Sequence, residues 1–191
     1  MLASDIFEAL EEARLRLLEI IDPLPDEALL APKAVGGLSV RDILVLIAVW
    51  ESELITGLRQ LLGKKKPQKL LEALKNKEAY NEARLRENQG RQLDIIFDDL
   101  EGAYIQLESW LSELSDRDLT DKKRFKGLGG RPLWSVVAEA SFEFESSFLP
   151  GLEAYAEEWE AKAMDNQFIP LMTIDSMAIE PDETEAENDD E

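Results

Sequence analysis

Residues Ile43 to Trp50, ILVLIAVW, are apolar at every position, and they stand directly behind a helix start. Ser39 is an N-cap residue type, Asp42 falls three places later to complete a capping box, and Leu38 and Ile43 occupy the two positions of a hydrophobic staple. A helix lying on a surface needs one apolar stripe, whereas a helix apolar all round needs neighbours on most sides. The segment therefore belongs in the middle of a bundle, and the helix is expected to run to about Gly63. Eight apolar residues are too few to cross a bilayer.

The rest of the chain supplies neighbours of the same kind. Ile6, Leu10, Ala13, Leu17 and Ile20 or Ile21 recur at three or four until Asp22-Pro23-Leu24-Pro25 stops the pattern. Leu93, Ile96 or Phe97, Leu100, Tyr104, Leu107, Leu111 and Leu114 form a second stripe. After Arg131-Pro132, with Pro132 suited to a first helical turn, comes another: Trp134, Val137, Ser141, Phe144, Phe148 and, beyond Pro150, Leu152, Tyr155 and Trp159. Pro150 is expected to kink that helix. Leu70 to Gln89 is helix-prone but polar, Gly90 breaks it, and GKKKPQK (Gly63 to Lys69) reads as a linker whose lysines complement a helix C-terminus. With no alternating strand pattern, the fold class is all-α: a four-helix bundle over 1–163, followed by an extension, 164–191. In that extension FIPLM and MAI are apolar enough to dock on the bundle or a neighbour, and the acid-rich run Glu180 to Glu191 is expected to be an irregular, solvated tail.

Composition narrows the chemistry. The 191 residues contain no cysteine and no histidine, which excludes thiol catalysis, His-based triads and imidazole metal sites. Asp and Glu number 41 against 21 Lys and Arg, a formal charge of -20 that repels a phosphate backbone, so nucleic acid is not an expected partner. The first residues, MLASDIFEALEEA, carry acids where a signal peptide needs a basic flank. A cytoplasmic protein without a membrane partner is expected.

Two segments together resemble a known family. Leu38 to Glu51, LSVRDILVLIAVWE, is similar to the second-helix signature of the DinB/YfiT-like four-helix bundles, and Leu133 to Ala154, LWSVVAEASFEFESSFLPGLEA, to the fourth helix of their ClbS/DfsB-like branch. Asn81 resembles a recurrent asparagine of the family. The resemblance implies an up-down-down-up bundle. It also implies three metal-binding histidines, one from the second helix and two at i and i+4 on the fourth, and in this chain those positions are Leu46, Phe144 and Phe148. None of the three offers a lone pair. The expectation is therefore a family member with no transition metal and no cofactor, its metal centre replaced by apolar packing.

Three functional readings follow. By resemblance to a branch that includes a protein opening the cyclopropane electrophile of a genotoxin, the first is a metal-free protein binding a small apolar or electrophilic molecule. Its expected inter-helix pocket is made of Leu46, Trp50, Asn81, Arg131, Ser141, Phe144 and Phe148, with Glu51 or Glu143 as the carboxylate for acid-base work. The second is an oxygen-ligand site for magnesium or calcium from Glu51, Glu139 and Glu143, the last two sharing a face at i and i+4. The third is a non-enzymatic bundle that forms a homodimer or docks a partner. Against the first stands plain packing, which accounts for a Phe pair at helical spacing without any ligand.

Overall fold

A computed structural model describes residues 1–167. The docking stretch and acidic tail expected within 168–191 lie outside the described residues. Helices make up the fold: α1 (Ala3–Ile21), α2 (Asp26–Leu30), α3 (Val40–Leu62), α4 (Gln68–Lys75), α5 (Lys77–Glu87), α6 (Leu93–Ser112), α7 (Asp116–Thr120), a 3-10 turn (Lys126–Leu128), α8 (Leu133–Ala140), α9 (Phe142–Ser146) and α10 (Leu149–Gln167). Among the described residues there is no named strand, only one isolated bridge between Val35 and Leu38. No described helix is long and apolar enough to cross a membrane.

The α3 start is built as its sequence requires. Ser39 Oγ accepts from the Asp42 amide at 3.1 Å, and Asp42 Oδ2 accepts from the Ser39 amide at 3.2 Å. Behind this cap, Ile43 to Ala48 and Trp50 are all buried. One half of α3 joins Leu17, Ile21 and Leu29 with Ile96 and Leu100; the other half, through Leu54, Leu58 and Leu61, joins Ile6, Leu10, Leu107 and Leu111. Each such side chain contributes about 2 kcal/mol by leaving water. The contact of α3 with α4 is close: a Cβ on Gly57 would lie 2.5 Å from Leu70 Cδ2, so only glycine fits there without displacing Leu70. While α3 lies along most of α6, α1 packs on α9 and α10 and touches α6 at few points.

Three expectations are corrected. The last stripe is not one helix kinked at Pro150. It breaks at Ser141, whose backbone turns to φ -137° and ψ -106° while its hydroxyl donates to the Val137 carbonyl at 2.6 Å. Pro150 is the second residue of α10, where a missing amide hydrogen costs no helical bond. Pro132 is the residue just before α8 rather than inside it. The polar stretch 70–89 divides at Asn76 into α4 and α5, while the short α2 and α7 lie in the connections before α3 and α8.

Candidate functional site

Helix α3 presents Trp50 one turn after Leu46, and both are buried to 1% exposure. The break at Ser141 redirects the chain so that Phe144 meets Trp50 with ring centroids 5.6 Å apart, and Phe148 stands edge-on to Phe144 at 5.1 Å. From the other side α5 lies across Trp50. Tyr80 tilts against the indole at 4.7 Å, and the Trp50 Nε1–H donates to Asn81 Oδ1 at 2.8 Å. The Arg84 guanidinium sits 5.2 Å from the Tyr80 ring, and its Nε is buried without a partner among the described residues. Tyr80, Asn81, Phe144 and Phe148 remain half-buried. Side chains from α3, α5, α9 and the turn after α9 thus form an aromatic wall with polar groups of α5 over it.

Other residues singled out from the sequence are placed elsewhere. Arg131 donates to Glu139 Oε2 at 2.6 Å and to the Ser135 carbonyl at 3.2 Å, and it lines a separate cleft of about 370 Å3 with Lys75 and Lys126. Ser141 is buried and spends its hydroxyl on the helix break. Glu143 is exposed on α9. Glu51 is fully buried in an ion cluster.

That cluster contains two residues the sequence reading missed. Arg14 on α1 reaches Glu51 Oε1 at 2.8 Å and both carboxylate oxygens of Glu145 at 3.1 and 3.2 Å, and donates to the Leu100 carbonyl at 3.3 Å. Its guanidinium also lies 4.7 Å from the Tyr104 ring. The three charged residues are 6%, 0% and 1% exposed in the order Arg14, Glu51, Glu145. Two carboxylates share one cation, and Glu51 Oε2 has no partner among the described residues. Burial pushes the Glu51 carboxyl up to about 7; Arg14 opposes the rise and the Glu145 charge adds to it. Glu51 thus exchanges its proton near neutrality, the property a general acid or base needs.

The signal was in the register. Arg14 falls on the α1 stripe, four residues after Leu10 and three before Leu17, and a charge on a buried stripe requires a buried partner. Glu145 was harder to find because it lies beside Glu143 in a carboxylate-rich run, and two residues along a helix separate opposite faces.

Among the described residues a divalent cation has no matching ligand set. Glu51 is held by Arg14, Glu139 lies between Arg131 and Lys77 at 2.6 and 2.9 Å, and Glu143 is exposed. Among the described residues no group of three or more His, Cys, Asp or Glu side chains is arranged to hold a metal ion.

No curated protein and no solved structure shows significant similarity to the chain. The family model of the DinB superfamily matches residues 9–143, more than two thirds of the 191. That span takes in Arg14, Trp50, Glu51, Asn81 and Ser141 and ends one residue before Phe144. The chain belongs to the DinB superfamily.

Proposed function

We propose that this is a metal-free member of the superfamily, of the ClbS/DfsB-like kind and on an up-down-down-up bundle, that binds a small apolar or electrophilic molecule between its helices. The observation that carries this reading is the aromatic wall. At the positions where the resemblance implies imidazoles, the chain holds Leu46, Phe144 and Phe148, and Phe144 packs tilted against Trp50 at 5.6 Å. Leu46, Phe144 and Phe148 offer carbon where the resemblance calls for nitrogen, so these side chains do not fit the family's metal. Half-buried rings of this kind give an apolar ligand a place to bury area, and Asn81 and Arg84 supply polar atoms near it. Of the two carboxylates proposed for proton transfer, Glu51 is the better suited, because burial pushes its carboxyl up to about 7, whereas Glu143 stands exposed on α9.

The test is a thermal-shift screen of the purified chain against apolar electrophiles and their unreactive isosteres, preceded by elemental analysis. A ligand at a hundred times its dissociation constant stabilises by about 2.7 kcal/mol. Phe144→Ala and Phe148→Ala are expected to remove that gain. Stoichiometric nickel or zinc in the purified chain, or stabilisation untouched by both substitutions, overturns the reading. In the variant Leu46→His, Phe144→His, Phe148→His, nickel or zinc binding is expected to appear.

A second reading, a non-enzymatic bundle that docks a partner or dimerises, draws on a different observation: the exposed apolar side chains Leu15, Leu18 and Ile105.

A further inference from the structure

A groove of about 660 Å3 runs between α1 and α6, on the flank where those two helices touch at few points. Arg14 and the half-buried Tyr104 ring form part of its floor. Apolar side chains stand on both sides and stay in water: Leu15 is 54% exposed, Leu18 38% and Ile105 56%. Around them lie Glu11, Asp98, Glu101 and Glu108. Among the described residues none of these four carboxylates has a lysine or arginine within ion-pair distance, although Arg16 on α1 and Arg91, just before α6, are paired with other acids.

We propose that this groove docks a basic amphipathic helix of a partner protein, with its apolar face on Leu15, Leu18 and Ile105 and its lysines or arginines against the four rim carboxylates. The inference deepens the partner-docking reading and holds whether or not the Trp50 site takes a small molecule.

Shape, charge and reach each favour that occupant. From Glu11 to Leu18 the lip on α1 extends about 10 Å, and from Phe97 to Glu108 the lip on α6 extends about 16 Å, room for two to three turns of a third helix laid between them. The apolar groups sit at the lips instead of enclosing a space, which suits a helix face better than a small ligand needing walls. Four unpaired carboxylates call for cations from outside. A second copy would bring the same acids face to face. The chain's own apolar stretch, residues 168–179, contains no lysine or arginine to meet them.

The experiment uses the full chain and a fluorescein-labelled peptide of about 18 residues, five helical turns, with leucines on one face and lysines on the other. A second peptide carries glutamates in place of the lysines. By fluorescence anisotropy the lysine peptide is expected to bind and the glutamate peptide not. Leu18→Lys and Ile105→Lys are each expected to weaken binding about tenfold or more, as loss of a central apolar anchor does. Leu62→Lys adds the same charge on a 39% exposed leucine at the end of α3, away from the groove, and is expected to change affinity less than about twofold. Circular dichroism should confirm that all three exposed-site variants stay helical.

Equal weakening by Leu62→Lys would reduce the binding to general acidity and overturn the proposal, as would no binding of the lysine peptide. In a full chain carrying Ile169→Asp and Leu171→Asp, unchanged affinity is expected; a tenfold gain would make the chain's own stretch the occupant. A dimer seen by light scattering that Ile105→Lys splits would assign the groove to a second copy.

Discussion

Arg14 is the residue whose loss should be felt most. It is the cation between two buried carboxylates, and without it Glu51 and Glu145 would face each other with their charges unrelieved. Breaking a buried pair costs about 3–5 kcal/mol, far more than an exposed pair such as Arg86 with Glu82 returns. Arg14→Met, which keeps the length and removes the charge, is expected to lower unfolding free energy by that amount in urea titrations. A loss under 1 kcal/mol would mean that the cluster is solvated. Glu51 carries the matching prediction in pH. Its folded value of about 7 lies above its unfolded value near 4.5, so the folded state holds the extra proton between them. Its contribution is present in full below about pH 4.5, declines as pH rises to about 7 and is flat above, a change on the order of 3 kcal/mol. Glu51→Gln cannot titrate, and the stability difference between pH 5 and pH 8 should shrink by about 2–3 kcal/mol. An unchanged pH slope in that variant would place its origin elsewhere.

At the level of elements, the helices best read from sequence are those whose pattern is local and repeated. The stripes of α1 and α6 and the capping box of α3 are each complete within one segment, so the bounds expected for α3 differ from those observed by about a residue. The last stripe misled because Ser141 sits in phase with it; only the packed structure shows its hydroxyl turned onto Val137 and the helix broken there. Helix α5 is a different case. It has no buried residue, and its hold on the bundle comes from the partly buried Leu85 on the core, from Tyr80 against Trp50 and near Glu53, from Asn81 on the indole N–H, and from Lys77 on Glu139. An element with so little buried area opens locally at low cost. Asn81→Ala removes the acceptor for Trp50 and is expected to speed amide hydrogen exchange across 77–87 while exchange in α3 and α6 stays slow. If all three helices lose protection together, α5 is part of the global unit and not a cover over the aromatic wall.

Across the whole molecule, what escaped the sequence was the meeting of distant segments. Trp50, Asn81 and Phe144 could be singled out one at a time, but Arg14, Glu51 and Glu145 become a cluster only when α1, α3 and α9 pack, and nothing local marks which acid among 41 turns inward. The α1/α6 groove is likewise a product of how two helices diverge. Charge is arranged at this scale too. Unpaired acids surround that groove, while Lys64, Lys65, Lys66, Arg124 and Lys126 surround a cleft of about 530 Å3 at the far end of α3. Both groupings repel themselves, and so does the chain as a whole at -20. The exposed ion pairs that salt would weaken return little, whereas the repulsion that salt would screen is summed over the entire surface. Raising sodium chloride from about 0.02 to 0.5 M, which shortens the Debye length to a few ångströms, is therefore expected to raise the melting temperature. A gain of 1–2 kcal/mol corresponds to roughly 2–8 °C in a protein of this size. The rise should persist in Glu51→Gln, because the buried cluster is shielded from salt. A melting temperature that falls steadily with salt would show that surface pairing outweighs the net charge, and that the acidic rim is locally compensated.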